Sequence, residues 1–154
     1  MFVYRIAKTR DRATDLSGTG AFKAGGRWNS EGKFALYTSE HQALALLELL
    51  VHVDESDLPP ELFIITLEIL NPSLILEIAD ADLPRDWRMP DNLNLKGMGD
   101  SLLANRRYVG FRARSAVIPQ EYNVVLNPTH PQFNNVVKLV RTEELDVDQR
   151  LLHI

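Results

Sequence analysis

Runs of β-forming apolar residues predict strands at residues 2–6, 34–38, 62–70 and 74–78, and three more at 115–118, 123–126 and 136–140. The 62–70 run, Leu-Phe-Ile-Ile-Thr-Leu-Glu-Ile-Leu, is apolar enough to be buried on both faces. Residues 43–51 are apolar all round except at Glu48, which predicts a buried helix ending near His52. Ser39, with Gln42 three residues later, has the form of a capping box for that helix. A second helix is predicted from Asp100 or Ser101 to about Arg107, and a short helical turn in the tail from Asp146. Polar stretches rich in Gly and Pro, at 8–33 and 80–99, read as long ordered loops, and Pro59-Pro60 marks a break across 54–61.

Strands and helices do not alternate regularly. That argues against a doubly wound parallel sheet and for an α+β domain on a strongly bent mixed sheet. The chain has 154 residues, enough for one domain with its own core. A formal net charge of −4 removes the electrostatic reason to expect direct nucleic-acid binding. The absence of cysteine excludes disulfides and thiolate metal sites and suits a reducing cytoplasm, the expected location. No apolar run is long enough to suggest a signal peptide or a membrane span.

Candidate chemistry concentrates between residues 25 and 52. Glu48 is a lone acid on an apolar helix, and a carboxylate there costs several kcal/mol unless it is paired or lines a cleft. Arg27 follows Gly25 and Gly26, whose small size lets the backbone approach a ligand while the guanidinium grips a phosphate or carboxylate. Trp28 is a packing anchor or a cover for an aromatic ligand, and Tyr37, at a strand end, can stack on a ring or lend its hydroxyl. His41 and His52 share a helix face with Glu48, but not in the His-Glu-x-x-His spacing of a metalloprotease, so no metal is expected. Gly97-Met98-Gly99, ahead of the predicted second helix, offers weak anion-binding potential. Ser115 lacks a Gly-x-Ser-x-Gly elbow and is not a hydrolase nucleophile by pattern. Asn127-Pro128-Thr129-His130-Pro131 reads as a rigid turn after a strand, with His130 at the surface or fixing the turn.

Taken together these segments resemble the RES domain family, the toxin half of RES–Xre toxin–antitoxin pairs. The resemblance rests on Gly25 to Asn29, Leu36 to Ser39, Ala43 to Glu48 and Ser115 to Pro131, with Leu83-Pro84, Trp87-Arg88 and Gly99-Asp100 in support. It places the family arginine on Arg27, the tyrosine on Tyr37, the glutamate on Glu48 and the serine on Ser115. It implies one domain over residues 1–154, similar to the ADP-ribosyltransferase fold, with a cleft for NAD+. The implied reaction is cleavage of the nicotinamide–ribose bond, by hydrolysis or phosphorolysis, with NAD+ as substrate, inorganic phosphate as a co-substrate of the second route, and no cofactor. Arg27, Glu48 and Ser115 are the implied catalytic set, and Arg27, Tyr37, Trp28 and Asn127 the implied substrate contacts. An Xre-type antitoxin is the expected partner, covering the active site; a homodimer is left open. Two alternatives remain. One is a protein ADP-ribosyltransferase using the same cleft. The other is a non-catalytic module that only docks an Xre-type protein.

Overall fold

The computed structural model describes residues 1–54 and 57–153. Glu55 and Ser56, inside the predicted break, and Ile154, at the end of the predicted tail turn, lie outside the described residues. Seven strands form one sheet: β1 (Phe2–Ala7), β2 (Leu36–Ser39), β3 (Leu62–Ile69), β4 (Ile75–Glu77), β5 (Gly110–Arg114), β6 (Tyr122–Leu126) and β7 (Val137–Leu145), in the order β4-β5-β6-β2-β1-β3-β7. Neighbours are antiparallel except β4 and β5, so the sheet is mixed, and with its helices the chain is α+β as expected. The helices are α1 (Arg10–Ala13), α2 (Thr19–Ala24), α3 (Gln42–Leu50), α4 (Leu93–Ala104) and α5 (Phe133–Val136).

One irregularity in the sheet positions the site. β1 pairs with β3 continuously from Phe2↔Glu68 to Ala7↔Phe63, and β2 pairs with β6 from Leu36↔Leu126 to Ser39↔Asn123. β1 and β2, although neighbours, meet only at Tyr4↔Ser39. The sheet is two well-paired halves joined at one position, and a cleft opens where the two strands part. β3 is buried along its length except at Glu68, as its apolar run predicts. The period-two alternation of β6 feeds two cores, Val124 and Leu126 on one face and Val125 with Phe111 and Trp28 on the other.

Several elements differ from the sequence reading. The 8–33 stretch contains α1 and α2, which at four and six residues are too short to show a helical period. The second helix begins at Leu93, where the Asn92 side chain accepts from the N–H groups of Asn94 and Leu95. Its two internal glycines disguised it, so Gly97-Met98-Gly99 lies inside the helix, not ahead of it. The predicted 115–118 strand is a turn, and the strand precedes it as Gly110–Arg114. Phe111 and Ala113 point to the core there while Arg112 and Arg114 face out, an alternation hidden by the charges.

The helix α3 starts after His41, with no side-chain cap, so Ser39 and Gln42 form no capping box. Nor is α3 buried all round. Only Leu44 and Ala45 are buried, because the cleft on one side and solvent on the other leave Leu46, Leu47, Glu48 and Leu50 half-buried.

Candidate active site

A cavity of about 650 Å³ fills the divergence of β1 and β2. That is the size of a cleft for a cofactor-sized ligand. Arg5 on β1, Tyr37 on β2, Glu48 on α3, Arg27 in the loop after α2, His52 and Asn123 are among its lining residues.

Glu48 reaches the cavity from the middle of α3. Its Oε1 accepts two hydrogen bonds, from Ser115 Oγ at 2.7 Å and from Asn123 Nδ2 at 2.6 Å. Both partners are neutral, and among the described residues no ion pair engages this carboxylate. Ser115 is fully buried. Its Oγ accepts from the N–H groups of Val117 and Ile118 at 3.0 and 3.1 Å, so the turn that replaced the expected strand aims the hydroxyl proton at Glu48. The serine thus touches the carboxylate and is not among the cavity-lining residues.

The Gly25-to-Asn29 loop divides its work residue by residue. Gly25 adopts φ +71°, and a Cβ on Gly26 would come within 2.6 Å of the Tyr37 hydroxyl. The small residue at 26 is needed for the Tyr37 contact, where the sequence suggested close approach to a ligand. Arg27 lines the cavity, and its Nη1 donates to the carbonyls of Trp87 at 2.9 Å and Met89 at 3.3 Å. Among the described residues its side-chain bonds go to these carbonyls and not to Glu48. Trp28 is among the cavity-lining residues, yet it is only 3% exposed and meets Phe111 edge-on at 5.2 Å between centroids, so it also anchors the loop in the core. Asn29 is buried; its Nδ2 donates to Ala21, Ser30 and Lys33 carbonyls while its Oδ1 accepts from Tyr37.

The Tyr37 hydroxyl is committed within the protein. It donates to Asn29 Oδ1 at 2.7 Å and accepts from the Trp28 N–H at 2.9 Å. Burial pushes the phenol well above its ordinary pKa, so it remains a neutral donor. Helix α4 clamps the same loop from one face. Lys96 Nζ donates to the Gly26 carbonyl at 2.7 Å, and Asp100 accepts from the Ser30 N–H and Oγ.

Asn127 lies outside the cavity lining. Its amide donates to the Leu103 carbonyl at 2.8 Å and its Oδ1 accepts from the Thr129 N–H and hydroxyl, which fixes the turn after β6. His130, in that turn, accepts from the Gln132 N–H at Nδ1 and donates from Nε2 to the Arg106 carbonyl at 2.6 Å.

The sequence reading did not single out Arg5 or Asn123, and both line the cavity. Arg5 interrupts the apolar strand Phe2–Ala7, a signal as strong as Glu48 on its helix. Its Nη1 donates to the Arg12 and Asp15 carbonyls, and burial lowers its pKa while the Asp15 charge opposes that shift. His52, which the sequence raised only with His41 as a metal pair, lines the cavity as well. His52 Nδ1 donates to the Glu48 carbonyl at 2.7 Å. With Arg5, Arg12, Lys23 and Arg27 against Asp15 and Glu48, the cavity concentrates positive charge in an otherwise acidic chain.

Residues 2–148 match the RES domain family. The chain belongs to the RES domain family. Relatives named Toxin Res include one from Photorhabdus laumondii subsp. laumondii, 32% identical over 154 residues and covering 99% of this chain and 97% of that one. Another, from Yersinia enterocolitica, is 33% identical over 152 residues, 98% of this chain and 99% of its own. A relative from Sphingobium sp., named Prs ADP-ribosylating toxin, is 32% identical over 129 residues, 80% of this chain and 79% of its own. Among solved structures, the M. tuberculosis MbcT–MbcA toxin–antitoxin complex includes a chain of the same fold, with a TM-score of 0.72 at 18% identity, covering 98% of this chain and 86% of that one. This RES chain is therefore placed with the toxin members of its family.

Proposed function

We propose that this RES protein cleaves the nicotinamide–ribose bond of NAD+, as the toxin of a toxin–antitoxin pair. The observation that carries the reading is Glu48. Its carboxylate stands at a cationic cavity with both hydrogen bonds on one oxygen and, among the described residues, no cationic side chain paired with it. Arg5 and Arg27 supply positive charge for a pyrophosphate, and the Tyr37 ring supplies an aromatic wall for nicotinamide.

The chemistry follows from the leaving group. Nicotinamide in NAD+ is a cation. When the C1′–N bond breaks, the bonding pair returns to the ring nitrogen and nicotinamide departs neutral, with no general acid. The positive charge passes to C1′ and O4′ of the ribose. A carboxylate beside that charge, in a site poorer in water than bulk solution, lowers the barrier. Water or phosphate then adds at C1′ and gives up a proton, forming ADP-ribose or its 1-phosphate. Ser115 serves the reaction through Glu48, since its hydroxyl bonds the carboxylate.

A second reading, transfer of ADP-ribose to a protein, is favoured by the Sphingobium relative's name. The two share every step before nucleophilic attack. The antitoxin is expected to be of Xre type and to seat over the cavity. The apolar face of α3 supports this, since Leu46, Leu47 and Leu50 are half-buried and Val51 is 58% exposed beside Glu48. The test is nicotinamide release from NAD+ by purified protein in the presence of a chelator, with water, phosphate or cell protein as acceptor. Release without metal is expected, and the products name the acceptor. No release with any acceptor defeats the reading.

A further inference from the structure

Ser39 lies at the joint of the sheet. It is the only β2 residue in register with β1, opposite Tyr4, and it stands opposite Asn123 on β6. The Ser39 side chain is buried and donates from Oγ to Asn123 Oδ1 at 2.6 Å. Asn123 in turn donates from Nδ2 to Glu48 Oε1 at 2.6 Å. Neither residue has any part in the Arg27, Tyr37, Glu48 and Ser115 set. The geometry points to Ser39 and Asn123 as a positioning pair that fixes the Glu48 carboxylate, holding Oε1 against the protein and leaving Oε2 for the substrate. This inference rests on the reading of Glu48 as the charge-stabilising group.

One contact sets the Asn123 amide. The Glu48 carboxylate can only accept, so the N–H end faces it, and the carbonyl end then takes the proton of the Ser39 hydroxyl. The reversed amide would set its carbonyl against a carboxylate. The Glu48 contact therefore leaves one orientation, with the N–H pointing at Glu48. Ser115 supplies the second donor to the same oxygen at 2.7 Å. Two neutral donors orient the carboxylate through hydrogen bonds to its charged oxygen, yet leave its negative charge uncompensated. An arginine in their place would fix the group and cancel the field that the ribose cation needs. Because Ser39 also joins β1 to β2, the hydrogen bonds that orient Glu48 are anchored at the point where the cleft opens.

Asn123→Asp tests the pair. The change is nearly isosteric, but the new side chain can donate to Glu48 only while protonated. Two carboxyls at hydrogen-bond distance cannot both ionise freely, so they titrate as a coupled pair. The other ionisable cavity groups, Tyr4, Arg5, Arg12, Asp15, Lys23, Arg27, Tyr37 and His52, are unchanged, as are His41 and Glu121, which pair with each other two residues from Ser39 and Asn123. Nicotinamide release by the variant is expected to be retained at the acid end and to fall with rising pH, a limb absent from the wild type. The ¹³C carboxyl signals of residues 48 and 123 are expected to titrate together in two steps. Asn123→Leu and Ser39→Ala are expected to lower kcat by about tenfold to a hundredfold, as a small misplacement of a reacting group does, with KM nearly unchanged. A loss that is uniform with pH, or independent titration of the two carboxyls, overturns the proposal. If the wild type releases no nicotinamide, the proposed reaction falls, and the ¹³C titration alone still decides whether Asn123 holds Glu48.

Discussion

Glu48 drew notice because an acid on an apolar helix has to be explained, and its surroundings turn out to be two neutral donors. A buried Glu–Arg pair would have left an orphaned guanidinium on mutation. Here Glu48→Gln keeps an oxygen to accept from Ser115 and Asn123 and leaves no cation unpaired. Its melting temperature is expected to stay close to the wild-type value. Turnover is expected to fall by roughly a hundredfold or more, the loss typical of one preorganised electrostatic contact. Affinity for intact NAD+ should change far less, because the ground-state ribose carries little charge. Measuring turnover, NAD+ affinity and melting temperature on this one variant checks all three, and a destabilised but active Glu48→Gln would contradict the role. At this scale the sequence made Arg27, Tyr37 and Glu48 visible as anomalies. Asn123 was invisible, because an asparagine at the start of a strand is unremarkable until its cross-strand neighbour and its distance to Glu48 are known.

Helix α4 shows the same limit among elements. Lys96, Gly99 and Asp100, spaced three and four apart, share one face against the Arg27 loop. The glycine that obscured this helix in the sequence is what lets it dock. A Cβ on Gly99 would fall 1.8 Å from the Trp28 carbonyl oxygen, closer than any atom can approach without a backbone shift. Gly99→Ala is expected to cost about 1–3 kcal/mol of stability, the usual cost of overpacking, even though alanine is the better helix former. At roughly 2–4 °C per kcal/mol for a domain of this size, the drop is readable in a thermal melt. Gly97, on the same helix, has open space around it, so Gly97→Ala should hold or raise the melting temperature and serves as the control. Equal melting temperatures for the two variants would refute the docking argument.

For the whole molecule, the reading makes one surface serve two ligands. NAD+ and antitoxin should exclude one another if the antitoxin seats over the cavity beside the apolar face of α3. Calorimetry of a non-hydrolysable NAD+ analogue against the preformed complex is expected to show binding weakened by at least about tenfold relative to the free chain, a coupling above roughly 1.4 kcal/mol. Undiminished affinity would separate the two surfaces. By itself the sequence determined the α+β class, the buried β3, the helix that carries Glu48 and the segments that mark the family. These follow from local periodicity and from residue types that are costly where they stand. Only the tertiary structure decided that β1 and β2 part after a single pair, that Ser115 lies in a turn aimed at Glu48, and that Arg5 and Asn123 line the cavity while Asn127 does not. Those outcomes depend on strand order and register. They bring together residues as distant in sequence as Arg5 and Asn123, 118 positions apart, and no local pattern records contacts that chain folding alone creates.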